Sequence, residues 1–235
     1  MAHVAAYDAN GNRLTETGAA PQSNSFNPDT NQLRNVGNGS ASLTYYPWRY
    51  TASGGGISTA FNQRGRLSSA TTSAGTTNYC YNALGRLIYK NGASSPVGIM
   101  YDEAGHIIGE YTNTGALIEE TAWMGDIPLA TIMPSGNSVA VYYIHTDQLG
   151  TPRKIANSAN QLLWRWDPNT YGYSVPNNNP SGLGAFTYNL RFPGHNFQAE
   201  TGFIYNFYRD YIPFTGTNLE SDPMGLKGGS YSTYA

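Results

Sequence analysis

The sequence predicts an all-β protein, a wound strip of antiparallel β-hairpins with little helix. Three observations carry this. Charged residues make up only 12% of the 235, about half the usual share. The gap is filled by 19 Tyr and 27 Gly with many Asn, Ser and Thr, residue types of pleated surfaces and turns. A short motif also recurs at a fixed 20-residue interval, and no Glu/Lys/Ala/Leu-rich helical run interrupts it.

The repeated motif is clearest at Phe61-Asn62-Gln63-Arg64-Gly65-Arg66-Leu67, Tyr81-Asn82-Ala83-Leu84-Gly85-Arg86-Leu87 and Tyr101-Asp102-Glu103-Ala104-Gly105-His106-Ile107. A further copy opens the chain at Tyr7-Asp8-Ala9-Asn10-Gly11-Asn12-Arg13-Leu14. A degenerate one lies at Tyr111 to Leu117, and another keeps only its turn, Asn157-Ser158-Ala159-Asn160. In each unit an aromatic ends one strand and Asp or Asn starts a tight turn, its side chain bonding the backbone two residues on. Gly follows three residues later, where positive φ is needed. A polar residue and then Leu or Ile open the returning strand. This is a hairpin with a type I turn and a bulge glycine; at Asn160 the glycine is replaced by the next most tolerant residue. One hairpin cannot bury its aromatic face alone. Hairpins laid side by side can, with Phe61, Tyr81 and Tyr101 in equivalent rungs.

Residues 16–60 match the motif poorly. They hold Pro21-Gln22-Ser23-Asn24 and Ser53-Gly54-Gly55-Gly56 and are expected as long loops or eroded repeats. Residues 167–186, with Pro168, Pro176, Asn177-Asn178-Asn179 and Pro180, are expected to be irregular.

The repeat resembles the YD repeat of RHS proteins, and from residue 119 the resemblance shifts to the RHS repeat-associated core. His145-Thr146-Asp147-Gln148-Leu149-Gly150-Thr151-Pro152, Arg191-Phe192-Pro193-Gly194, Glu200-Thr201-Gly202 and Asp222-Pro223-Met224-Gly225-Leu226 appear in that order. The expected organisation is YD hairpins over 1–118, loop-rich at 16–60, and an RHS core over 119–235. The resemblance implies a partial RHS β-shell that encloses a toxin. It also implies an intramolecular aspartyl-type protease that cuts after the Leu of Asp-Pro-x-Gly-Leu, here between Leu226 and Lys227.

Aspartyl proteolysis needs two carboxyl groups sharing a proton, one to activate water and one to donate. Carried over by the resemblance, Asp222 is one. The usual upstream Asp is missing, since Gln198 and Ala199 stand there, so Glu200 is the remaining carboxylate of that element. Arg191 is a candidate to steady a carboxylate or oxyanion, with a structural ion pair as the alternative. Ile212 stands where relatives carry a turn-capping Asp in Arg-Asp-Tyr-Asp-Pro. Only nine residues follow Leu226, so this sequence leaves no room for a toxin after the cut.

The remaining signals are weaker. A net charge of −2, with no dense Lys or Arg run, argues against a nucleic-acid surface. The start, Met1-Ala2-His3-Val4-Ala5-Ala6-Tyr7, lacks signal-peptide features, and no window reaches the apolar length of a membrane span. Export is therefore expected by a non-Sec route, to the outside or the cell surface. Cys80, the single cysteine, reads as a small buried hydrophobe. His145 and Asp147 read as part of a turn rather than a metal site; no metal and no cofactor are expected. His3, His106 and His195 are isolated, His106 facing solvent at a position held elsewhere by Arg or Asn. Asn38-Gly39-Ser40 is a chance-level glycosylation triplet. Trp48, Trp123, Trp164, Trp166 and the tyrosines are expected to pack edge-to-face as core. Three readings stay open: an encapsulation and delivery module with a toxin domain or secretion-spike partner and residual self-cleavage; a carbohydrate- or protein-binding repeat module; and a truncated core without function. Any enzyme activity is at most the intramolecular cut.

Overall fold

The computed structural model describes residues 4–17, 22–37, 41–92, 96–228 and 233–234. Met1 to His3, Pro21 and Asn38-Gly39-Ser40 lie outside the described residues. Among those described, strands and turns dominate and helix is confined to one 3-10 turn, Gly225–Gly228. The chain is all-β, as the composition and repeat predict. No helix among the described residues is long and apolar enough to cross a membrane.

The largest sheet has thirteen antiparallel strands in unbroken chain order, from Thr44–Tyr45 to Leu162–Arg165. Such an order arises when each hairpin pairs with its predecessor and nothing crosses over. The turns show why this sequence does it. Asn82 N–H donates to the Arg86 carbonyl and Gly85 N–H to the Asn82 carbonyl, both at 3.0 Å. The same two bonds recur at Asp8/Asn12, Asn62/Arg66, Asp102/His106, Thr112/Ala116, Asp147/Thr151 and Asn157/Gln161. The Asx side chain adds its own bonds: Asn62 Oδ1 accepts from Arg64 N and Arg66 N at 2.9 and 3.1 Å. Asp147 Oδ1 accepts from Leu149 N and Thr151 N, both at 3.0 Å. The fourth residue takes positive φ, as at Gly85 (79°) and Asn160 (58°). The aromatic and the residue after the turn become cross-strand partners across a bulge: Phe61 with Leu67, Tyr81 with Leu87, Tyr101 with Ile107. Leu67, Leu87 and Ile107 are buried.

The His-Thr-Asp-x-Leu-Gly-Thr-Pro element is thus a further copy of the repeat turn, built on Asp147 and Gly150. The described residues within 16–60 form short paired strands, the eroded-repeat alternative rather than long loops. Gly55 and Gly56, at φ 59° and 82°, form a two-residue turn between Thr51–Gly54 and Ile57–Phe61. At Tyr46 to Tyr50 the repeat's backbone bonds survive with Tyr in the Asx place and Arg49 at φ 74° in the glycine place. The turn conformation outlasted the residues that advertise it. Residues 167–186 carry only an isolated bridge, Arg165 to Asn177.

Two compact units emerge, Met1–Thr76 with Arg209–Ala235 and Thr77–Tyr208. In the second, strand alternation turns Thr77 and Tyr79 inward and Cys80 outward. The expected buried thiol is therefore exposed, because strand parity and not side-chain polarity chose its face.

Candidate functional site

In the second unit the inward face of the strip is crossed by the segment 186–206, which runs back from the late strands to the early ones. Phe186 meets Tyr142 and Tyr188 meets Trp164, edge to face at 4.9 and 5.8 Å. Asn189 and Asn196 donate to the two carboxylate oxygens of Glu110, at 3.1 and 2.8 Å. Lys90 Nζ reaches Gln198 Oε1 at 3.0 Å and Glu200 Oε2 at 3.3 Å. Tyr79 O–H donates to Glu200 Oε1 at 3.1 Å, and Tyr205 O–H accepts from Leu87 N. Glu110, Glu119, Asn196 and Gln198 are all nearly inaccessible. Burial and the neighbouring Glu110 push the Glu119 carboxyl well above its usual range, against the pull of Arg191 and Lys90.

Arg191 sits inside this layer. Its guanidinium lies over the rings of Trp164, Trp166 and Phe197, at 5.4, 5.4 and 4.7 Å. Nη1 donates to the carbonyls of Tyr188 and Leu190. Burial lowers its pKa to about 10, and Glu119 opposes that. Arg191 and Glu200, both singled out by sequence, therefore belong to one buried polar layer, although each has partners of its own. Nearby His195 is pushed down to about 4 by burial, so it is neutral.

Asp222, the third candidate, belongs to the first unit. Its Oδ1 accepts from Met224 N at 2.7 Å and its carbonyl from Gly225 N at 2.8 Å. Oδ2 stands 3.7 Å from Arg209 Nη2. Locally Asp222 is a turn former, and Leu226–Lys227 lies in the 3-10 turn that follows. The same unit holds a carboxyl pair that the motif reading passed over, Asp210 and Glu220, both buried. Glu220 Oε2 accepts from Asp210 N at 2.8 Å. Burial, then Asp210, hold the Glu220 carboxyl well above its usual range. Sequence offered no periodic signal for this pair, since the two lie ten apart across a strand pairing of Tyr211 with Asn218.

The rung cations form a second pattern that sequence reasoning missed. The residue after the turn glycine reaches toward the next turn. Arg86 Nη1 donates to the Asp102 carbonyl at 2.9 Å. His106 does the same with its ring, Nδ1 2.8 Å from Asp102 Oδ2 and Nε2 2.9 Å from Asp126 Oδ1. It also stacks on Trp123 at 4.6 Å. His106 is thus a paired, largely covered group (14% side-chain exposure) rather than a solvent-facing one. Of the tryptophans, Trp164 and Trp166 are core, while Trp48 is 57% exposed and stacked on Tyr46.

The RHS protein family matches residues 141–177. Over 100 residues the chain is 33% identical to toxin protein Tse5 of Pseudomonas aeruginosa, covering 43% of this chain and 7% of that protein. Over 108 residues it is 30% identical to double-stranded DNA deaminase toxin A of Burkholderia cenocepacia, covering 46% and 8%. The chain thus spans less than a tenth of the length of either protein. The Tc holotoxin pore structure from Photorhabdus luminescens superposes over 99% of this chain and 12% of its own, with a TM-score of 0.75 at 18% identity. At that identity the likeness speaks for the fold. These matches mark a resemblance to RHS proteins, with which the repeated Asx–glycine hairpins accord.

Proposed function

We propose that the chain is a structural wall segment of an RHS-type shell that encloses and delivers a toxin. The carrying observation is the chain-order hairpin strip whose inward face is sealed by a returning segment. A sheet in which each hairpin pairs only with its neighbours extends by simple addition, the property a wall needs. The toxin names of its relatives support a delivery role. A toxin domain or a secretion-spike protein is the expected partner, and export outside the cell by a non-Sec route goes with it.

Self-cleavage between Leu226 and Lys227 belongs to the same reading, with Asp222, Glu200 and Arg191 as the residues that the resemblance carries over. Water would add to the Leu226 carbonyl and the Lys227 amine would leave. Intact mass of the purified chain, followed over days, tests it. A species ending at Leu226, lost in Asp222→Asn and in Glu200→Gln, supports the full assignment. Cleavage that survives Glu200→Gln removes Glu200, and a mass that never changes removes the activity.

A binding module is favoured by one feature, the exposed Trp48 on its hairpin tip. Glycan-array binding abolished by Trp48→Ala would replace the wall reading. A wall predicts no glycan signal, and loss of stability in Trp164→Ala.

A further inference from the structure

The end of the described chain is held by chemistry that resembles ligand recognition. Tyr234 is 4% exposed. Its hydroxyl donates to the Arg49 carbonyl and accepts from Gln32 Nε2. Its ring meets Tyr45 edge-on, with centroids 6.0 Å apart. Its carbonyl accepts from Asn218 N at 2.9 Å, and the Thr233 carbonyl accepts from Asp222 N at 2.6 Å. Every one of these groups belongs to the first unit. Here two backbone carbonyls and both roles of a buried phenol are satisfied at once, the combination by which peptide-binding surfaces read an extended ligand.

We propose that the first unit carries a docking slot for an extended Thr-Tyr segment, filled in cis by Thr233–Tyr234. Asn218 N–H and Asp222 N–H fix the ligand backbone. Arg49 and Gln32 read the phenol, and Tyr45 supplies the apolar wall. The slot's partner chemistry is thus an extended peptide that carries a tyrosine, and an apolar side chain there would leave the Arg49 carbonyl unmatched. One consequence rests on the self-cleavage reading: a piece released by a cut at Leu226–Lys227 stays bound through Tyr234.

The test needs no cleavage. A fluorescein-labelled peptide of residues 228–235 is titrated by anisotropy against the full wild-type chain and full-chain Tyr234→Ala. In wild type the tail competes at the high effective concentration of a tethered ligand. Tyr234→Ala should therefore bind the peptide at least tenfold more tightly than wild type, and a peptide with Ala in place of Tyr234 should not bind. Tyr234→Phe keeps the ring, loses both hydroxyl bonds and should fall between the two. Equal binding to all three chains, or none to a Tyr234→Phe chain whose circular dichroism matches wild type, overturns the slot. A wild-type dimer dissolved by the peptide would overturn the cis assignment, since the tail would then come from a second copy. Loss of self-cleavage in the intact-mass experiment leaves all of these outcomes readable.

Discussion

Within the second unit two regions are built on opposite logic. In the hairpin strip each turn is specified by bonds that span four residues or fewer, as from Arg86 N to Asn82 Oδ1. In the returning segment, 186–206, the decisive partners lie 79 residues away (Asn189 to Glu110) to 121 residues away (Glu200 to Tyr79). The strip writes its own geometry. The returning segment has one short hairpin, Asn196–Gln198 with Phe203–Asn206, but takes its position on the strip from a row of buried polar groups that must all be matched together. Buried charges recover their desolvation cost only when every partner is present. A slip of the segment by one residue would strand Glu110, Lys90 and Glu119 at the same time. Damage to a turn should therefore be small and local, and damage to the polar layer large.

Arg191→Ala is the strongest test. It removes a cation from over three rings and takes away the charge that pulls most on the raised Glu119 carboxyl. It also strips this donor from the Tyr188 and Leu190 carbonyls, and losing charge-assisted bonds of this kind costs about 1.5–3 kcal/mol, which a urea midpoint will register. The double change Arg191→Met with Glu119→Gln should recover much of that loss, because no lone charge remains. If Arg191→Ala costs under about 1 kcal/mol, the level of an exposed pair, the contrast between regions is broken. Asn196→Ala comes next. It leaves Glu110 Oε1 without this donor and Gln198 Nε2 with only its longer bond to the Asn196 carbonyl, a loss of about 1–3 kcal/mol in the same measurement.

In the strip the largest single effect should be smaller. Gly115 has φ 79° and open space where a Cβ would go, so Gly115→Ala tests backbone conformation without steric clash. The left-handed conformation costs a residue with a side chain about 1–2 kcal/mol, and the thermal midpoint should fall accordingly. Asn160→Gly, at φ 58°, should instead be neutral or slightly stabilising. If Gly115→Ala matches Arg191→Ala in effect, the turns are not the local devices that their hydrogen bonds indicate.

The same contrast explains how much of the molecule could be read from sequence. The turns at 62, 82 and 102 were legible because an Asx, a glycine and a Leu or Ile at fixed offsets each act on the neighbouring backbone. The turn at Tyr46 to Tyr50 was not, because Arg49 carries the glycine's conformation without the glycine's name. Asp147 was visible as a family motif while its identity as one more rung was hidden. Glu200 and Arg191 were found through family resemblance, yet their partners Lys90, Tyr79 and Trp164 carry no mark of the pairing, since long-range polar matching leaves no period. Asp210 and Glu220 were missed for the same reason. Cys80 was misjudged by polarity alone, when counting strand parity from Tyr79 would have placed it outward.

His106 gives the smallest and most specific prediction, because there the two logics meet. The turn places it at the position of Arg66 and Arg86, and its link to the next turn is titratable where that of Arg86 is permanent. Partial burial pulls its pKa down, but the hydrogen bonds and charges of Asp102 and Asp126 together outweigh that and hold it above its ordinary value. Arg86, which donates to the Asp102 carbonyl, is a cation of the neighbouring turn. On Asp102, burial raises the carboxyl, yet its bonds to the His106 side chain and to the backbone of His106 and Gly105 win and hold it low. A raised histidine contributes fully below its unfolded pKa of about 6.5 and loses that contribution as pH rises through the folded value. The depressed Asp102 limits the window from below, its share fading as pH falls beneath about 4. His106→Gln should therefore lower the thermal midpoint more at pH 6 than at pH 8.5, while an exposed control such as Glu103→Gln shows no such trend. A proton NMR titration in which His106 shifts at or below the free-histidine pKa would show that the imidazole is not shared between two turns, and that the rung cation acts in the strip by packing on Trp123 alone.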